Sequence, residues 1–307
     1  MTDYSDVSAN NVHAIGRAFC LDGDEGNIGV WHMLPKTMSY EYREKGVHPS
    51  DDEMEKLLSL EKYPVIFYLH GNSFDRTTGH RVELYNVLNK LDFQVVAFDY
   101  RGYGDSDGNP TEGGLVNDSR LVYDYVKRHS GNNTVVLWGH SMGTGVATKL
   151  AMDLSLEGQA PDGLILESPF NNLRDAIMGH LLSIPLRWMS EEMIQTYIMQ
   201  PLRSVGLDMT SDKRIVNVTC PILIMHAEND HVIPVRLGRK LKDAALAASR
   251  DVKYVEFEEA RNYKHKFIYM APELSTLIPN TYIGFWSNSG QVEGKIIFAH
   301  FLMIVYA

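Results

Sequence analysis

Ser141, set between two glycines in Gly139-His140-Ser141-Met142-Gly143, is the residue of this 307-residue chain whose setting points most directly to chemistry. An apolar run, Val135 to Trp138, precedes the pentapeptide, and a helical pattern to about Leu156 follows it. That is the strand-turn-helix setting of a nucleophile elbow, where a strained turn lifts a serine hydroxyl above the C-terminal edge of a sheet. Flanking glycines are expected because a Cβ there would strike the neighbouring strand and helix. Acyl transfer also needs preorganised donors for the developing oxyanion. The backbone N–H of Met142 is expected to be one; the other is assigned to Asn72 in His70-Gly71-Asn72, with Ser73 as the fallback.

In this architecture the acid and then the histidine follow the serine along the chain. Five histidines lie downstream: His180, His226, His231, His265 and His300. His180 precedes the later strands, His226 belongs to a strand run, His231 abuts the best acid, and His300 lies in an apolar tail. His265, on a polar loop after the final strand run, is the expected general base. Asp230 directly follows the run from Ile222 and so emerges at the same sheet edge as Ser141, able to hold the imidazole tautomer. Glu228 is the runner-up acid. Neither Cys20 nor Cys220 has metal-ligand spacing, and this chemistry needs no metal or cofactor.

The elements that must position these residues can be read from the apolar periodicity. Val65–Leu69, Val95–Phe98, Val135–Trp138, Gly163–Leu166, Ile222–Met225 and Val252–Phe257 read as strands, with helical patterns between them. Continuous apolar strands alternating with helices imply a mostly parallel sheet covered on both faces. The expected organisation is an N-terminal extension over 1–24, a catalytic domain over 25–275 and an atypical tail over 276–307. Within the domain, 171–215 is an apolar, methionine-rich insertion, and 40–62 reads as a charged surface excursion. Pro279 is expected to stop the helix that begins at Ala271-Pro272-Glu273-Leu274.

The bulk numbers narrow the function. Lys and Arg total 29 against 39 Asp and Glu, a net charge of −10, which disfavours a nucleic-acid partner. No apolar run reaches the length of a membrane span, and the polar N-terminus lacks the apolar core of a signal peptide. Asp99 to Ser106 looks site-like, but its glycines suit a tight turn, and His140 is expected to pack inside the elbow.

Several stretches together resemble the lysophosphatidylserine and monoacylglycerol lipases: His70-Gly71-Asn72, His80 to Tyr85, Asp99 to Gly102, Gly139 to Ala147, Leu166 to Phe170, His226 to Asp230 and Tyr263 to Lys266. The resemblance covers roughly residues 25–275 and implies an α/β-hydrolase fold, with Ser141, Asp230 and His265 as its triad. It implies a serine hydrolase acting on single-acyl-chain lipid esters, with a lipid substrate and peripheral membrane contact. Relatives of this kind are anchored in the endoplasmic reticulum membrane by an N-terminal helix, which this sequence does not show. The insertion at 171–215 lies where such lipases carry a cap. Met178, Trp188 and Met189, with Leu181, Leu182 and Leu186, are expected to line an acyl channel beneath it. Arg174, Arg187 and Arg203 could meet an anionic head group. An acyl-protein thioesterase and a non-catalytic ligand-binding member of the fold are the alternative readings.

Overall fold

A computed structural model describes residues 2–180, 183, 186 and 188–282. A hairpin opens the sheet, β1 (Gly16–Gly23) and β2 (Gly26–Met33), followed by two short helices, α1 (Lys36–Glu44) and α2 (Asp51–Leu57). The alternating part then runs β3 (Val65–Leu69), α3 (Gly79–Lys90), β4 (Gln94–Phe98), α4 (Glu112–Ser130), β5 (Val135–His140), α5 (Met142–Leu156) and β6 (Gly163–Glu167). The insertion carries α6 (Leu173–Gly179), α7 (Glu191–Ile194), a π-helical turn at Gln195–Met199, α8 (Gln200–Ser204) and α9 (Ser211–Arg214). β7 (Ile222–Ala227), α10 (Val235–Ala247), β8 (Val252–Phe257) and α11 (Leu274–Tyr282) complete the described chain.

The eight strands form one sheet in the order β1-β2-β4-β3-β5-β6-β7-β8. The β1–β2 and β2–β4 pairs are antiparallel, and every other pair is parallel. Strands β3 to β7 are buried along their whole length, because alternate residues feed two separate cores. Val65, Phe67 and Leu69 pack with Val122 of α4, Leu150 of α5 and Leu241 of α10. Ile66 and Tyr68 pack on the other face with Val82 and Leu88 of α3 and Ile278 of α11. The sheet is therefore an α/β-hydrolase sheet, with the elbow strand β5 near its middle. Among the described residues no helix is long and apolar enough to cross a membrane.

Three expectations need correction. β1 lies inside the segment read as an N-terminal extension. As an edge strand with mixed exposure it lacks the apolar run of the central strands. Residues 40–62 hold much of α1 and all of α2 rather than a plain excursion. Ser50 caps α2 with a reciprocal Ser50/Glu53 box, and Met54 and Leu58 are buried. Pro279 does not end α11, which continues to Tyr282. Leu274, Leu277, Ile278 and Thr281 are buried there, and that packing offsets the backbone bond a proline forfeits.

Candidate active site

β5 delivers Ser141 at the turn into α5. Its backbone is left-handed, φ 53° and ψ −121°, a strained conformation for a serine, and its N–H donates to the Glu167 carbonyl on β6 at 3.0 Å. Glycine is required beside it: a Cβ on Gly143 would lie 2.1 Å from the Leu69 carbonyl oxygen, and one on Gly139 2.5 Å from that of Gly143. The turn can thus press α5 against β3 and leave the hydroxyl at the sheet edge.

Two strand ends bring the partners to the same edge. Asp230 follows β7 and His265 follows β8. The His265 Nδ1–H donates to Asp230 Oδ2 at 2.7 Å, and its Nε2 lies 3.0 Å from Ser141 Oγ. Asp230 Oδ1 accepts the backbone N–H groups of Val232 and Ile233, both at 2.8 Å. Burial alone would raise the carboxyl's pKa, but hydrogen bonding to His226 and His265 outweighs it and holds the group far below the usual carboxylate range. Asp230 therefore stays charged at any pH where the protein works, which fixes the proton on His265 Nδ1 and turns the Nε2 lone pair toward the serine. Glu228 points elsewhere, accepting the Glu259 N–H at 3.0 Å.

The loop after β3 faces the elbow closely, since a Cβ on Gly71 would stand 3.0 Å from Ser141 Cβ. Asn72, Ser73 and Met142 all border the cleft above Ser141. As the first residue of α5, Met142 carries an N–H with no partner inside its helix. Arg81 holds the loop in shape: its buried guanidinium donates to the carbonyls of Gly71, Ser73 and Asp75 at 2.9, 2.8 and 2.6 Å. Asp99 braces it from below through the Arg76 N–H and guanidinium, at 2.7 and 2.6 Å. The site-like turn after β4 is thus largely structural, although Tyr103 within it borders the cleft and donates to Asn72 Oδ1 at 2.8 Å.

Ser141 and His265 open into a cleft of about 640 Å³. Its cap-side wall is Leu173, Ala176 and Ile177, one face of α6 at helical spacing, and His180 just past the helix end, with Leu202, Leu207 and Met209 beyond them. The cap residues expected to line the channel do not: Met178 sits off that face, Met189 is half-buried outside the cleft, and Trp188 is 91% exposed. Leu181, Leu182 and Arg187 lie outside the described residues. Arg174 pairs with Glu191 and Asp175, and Arg203 with Asp208, so neither faces the cleft. No Asp or Glu is among the described residues bordering the cleft, and Lys266, exposed at its rim, pairs with no carboxylate among them. Among the described residues no His, Cys, Asp or Glu cluster could hold a metal ion.

Several supporting residues escaped the sequence. His226, beside Asp230 at 3.3 Å, was read only as part of a strand. Arg81 lies in the His80 to Tyr85 stretch, but its role was hidden because its partners are main-chain carbonyls of the loop before it. The α6 face was readable, as positions 173, 176 and 177 fall at helical spacing. Choosing by methionine content instead of by helical phase missed it.

Comparison with known proteins places these features. Residues 62–214 match the family described as "Serine aminopeptidase, S33", a stretch that includes Ser141 and Asn72 but stops before Asp230 and His265. The chain is 39% identical to a zebrafish (Danio rerio) protein named lysophosphatidylserine lipase ABHD12, over 89% of this chain and 70% of that one. It is 42% identical to the Xenopus tropicalis protein of the same name, over 85% and 67%. Among solved structures, an alpha-beta hydrolase from Vibrio vulnificus superposes with a TM-score of 0.68 at 20% identity, covering 92% of this chain and 87% of that one.

Proposed function

The chain belongs to the lysophosphatidylserine lipase ABHD12 family, and on that footing we propose that it is a serine hydrolase removing the one acyl chain of lysophosphatidylserine, a related lysophospholipid or a monoacylglycerol. The observation that carries this reading is the Ser141–His265–Asp230 relay, at 3.0 and 2.7 Å, at the end of an apolar cleft.

The chemistry follows from the geometry. His265 Nε2 accepts the Ser141 proton as Oγ attacks the ester carbonyl, and the charged Asp230 stabilises the resulting imidazolium. The N–H groups of Met142 and Asn72 receive the oxyanion. His265 then returns the proton to the departing glycerol oxygen, leaving an acyl-serine. A water, deprotonated by the same nitrogen, releases the fatty acid and restores Ser141.

Substrate features follow from the walls. Leu173, Ile177, Leu202, Leu207 and Met209 suit one hydrocarbon chain, as apolar ligand sites generally are lined. On a protein of net charge −10, a cleft without Asp or Glu among its described lining residues, with Lys266 exposed at its rim, suits an anionic head group. Phe74, 73% exposed at the rim and left-handed at φ 58°, is the contact to a lipid surface.

Fatty-acid release from lysophosphatidylserine, monoacylglycerol and an acyl-thioester tests the reading. Lysophosphatidylserine and monoacylglycerol are expected to turn over, and Lys266→Glu is expected to raise KM for lysophosphatidylserine about tenfold while leaving monoacylglycerol near unchanged, as a lost charge contact of ordinary strength would. Cleavage of the thioester alone would move the activity to a thioesterase, and cleavage of none would overturn the reading.

A further inference from the structure

The general base sits on an irregular loop of the catalytic edge. Residues 258–267 include the turn at Glu259–Arg261 and two left-handed positions, Asn262 at φ 55° and Lys264 at φ 52°. Neither is a glycine, so the loop depends on its surroundings to hold that shape. Glu228 ties the start of the loop through the Glu259 N–H, and two further side chains hold the part around His265. His140 Nε2–H donates to the His265 carbonyl at 2.9 Å. Asn229 Oδ1 accepts the Lys264 N–H at 2.9 Å, and its amide donates to Asn262 Oδ1 at 3.1 Å.

The placement of these two residues is what matters. His140 immediately precedes the nucleophile, and Asn229 immediately precedes the acid. We infer that His140 and Asn229 are positioning residues for the proposed hydrolase reaction, stapling the base's main chain to the two strand ends that carry its partners. A displacement of either strand end would carry the His265 loop with it, so the relay distances are kept by construction. The inference rests on the serine-hydrolase reading given above.

The chemistry of His140 fits this task and no proton transfer. A carbonyl only accepts, so the His140 proton must sit on Nε2, while Nδ1 faces Gly71 and finds no partner among the described residues. The ring is buried, packing against His265 at 5.0 Å and His80 at 5.6 Å between centroids. Burial, with the His265 ring adding to it, holds the group neutral. A neutral imidazole keeps one donor for one carbonyl and places no second cation beside the base.

The test separates positioning from folding through kcat, KM and rescue. His140→Leu removes the donor and is expected to lower kcat by about 10- to 100-fold with KM within twofold, the scale of a displaced catalytic group. His140→Gln, which can present an amide N–H near the same point, is expected to recover most of that loss. Asn229→Ala is expected to lower kcat about tenfold, with Asn229→Asp, which keeps the acceptor for the Lys264 N–H, closer to the parent. This pair keeps the inference testable if His140→Leu does not fold. An active parent with undiminished kcat in His140→Leu or in Asn229→Ala would overturn the inference alone. A parent without any turnover would overturn the hydrolase reading and this inference together.

Discussion

The catalytic edge and the cap sit on opposite sides of one cleft and are built by opposite rules. At the edge the groups around the reacting atoms are each held by several polar contacts: Ser141 N–H to β6, Asp230 to two backbone amides and two histidines, Arg81 to three carbonyls. In the cap the helices are one or two turns long, Trp188, Tyr197 and Val205 stand in solvent, and the ion pairs are mostly surface ones worth little each. Its return is firmly tied, where Glu112 accepts the N–H groups of Asp208 and Met209 at 2.7 and 2.9 Å and pairs with Arg214. The lesson is a division of labour: the reacting atoms are over-determined, while the wall that meets a variable acyl chain is left adaptable.

That contrast predicts graded effects. The largest is Asp230→Asn, which is expected to lower kcat by roughly 10³- to 10⁴-fold because the imidazole loses its tautomer, as read by steady-state hydrolysis of a soluble ester. A loss smaller than tenfold would break the picture of an over-determined edge.

Next is Gly143→Ala, whose added methyl would lie 2.1 Å from the backbone oxygen of Leu69. It is expected to cost more than about 3 kcal/mol in denaturant unfolding, or to prevent folding, since backbone on both sides cannot yield. The matched cap change, Met189→Ala, is expected to cost under about 1 kcal/mol, because the side chain is only partly buried. Comparable costs would erase the distinction.

A third effect comes from beneath the edge. Glu167 is buried and accepts Trp138 Nε1–H at 2.9 Å. Burial raises its pKa to about 7, the Trp138 bond opposes this, and the charge of Asp230 adds to it. The folded protein therefore binds more protons than the unfolded chain between pH 4.5 and about 7, so this group's contribution to stability is lost as pH rises through that window. At 1.36 kcal/mol per pH unit the full loss is on the order of 3 kcal/mol. Glu167→Gln keeps an acceptor for Trp138 and removes the titration. Its Tm is expected to match the parent near pH 4.5 and exceed it increasingly up to pH 8; parallel curves would contradict the account.

The smallest is Trp188→Ala. Stability is expected to change by less than about 0.5 kcal/mol and kcat on a soluble ester not at all, with any loss confined to lipid presented in vesicles. A large stability loss would mean that the cap is packed more firmly than its exposure indicates.

How much of this could be read from the sequence also divides along the two regions. The edge was legible because its residues follow apolar strands. Ser141 and Asp230 stand just past the ends of β5 and β7, and His265 lies on the loop that follows β8, all at one sheet edge. β5, α5 and β8 fall where periodicity put them. The cap was not legible at the level of single residues, since whether Met178 or Ile177 faces the cleft depends on helical phase and tertiary placement. The edge strand β1 hid because only Arg17 of its eight residues is buried, whereas the Ser50-Asp51-Asp52-Glu53 box of α2 was a readable signal inside a charged stretch. Pro279 misled because a local rule yielded to burial of Ile278 and Thr281.

The central claim is that Ser141 is an activated nucleophile, and covalent labelling by a fluorophosphonate tests it most directly. The folded protein is expected to gain one phosphonyl adduct that peptide mass spectrometry maps to Ser141, with labelling abolished in Ser141→Ala and slowed by at least a hundredfold in His265→Ala. A folded parent left unlabelled, or an adduct on another residue, would contradict it.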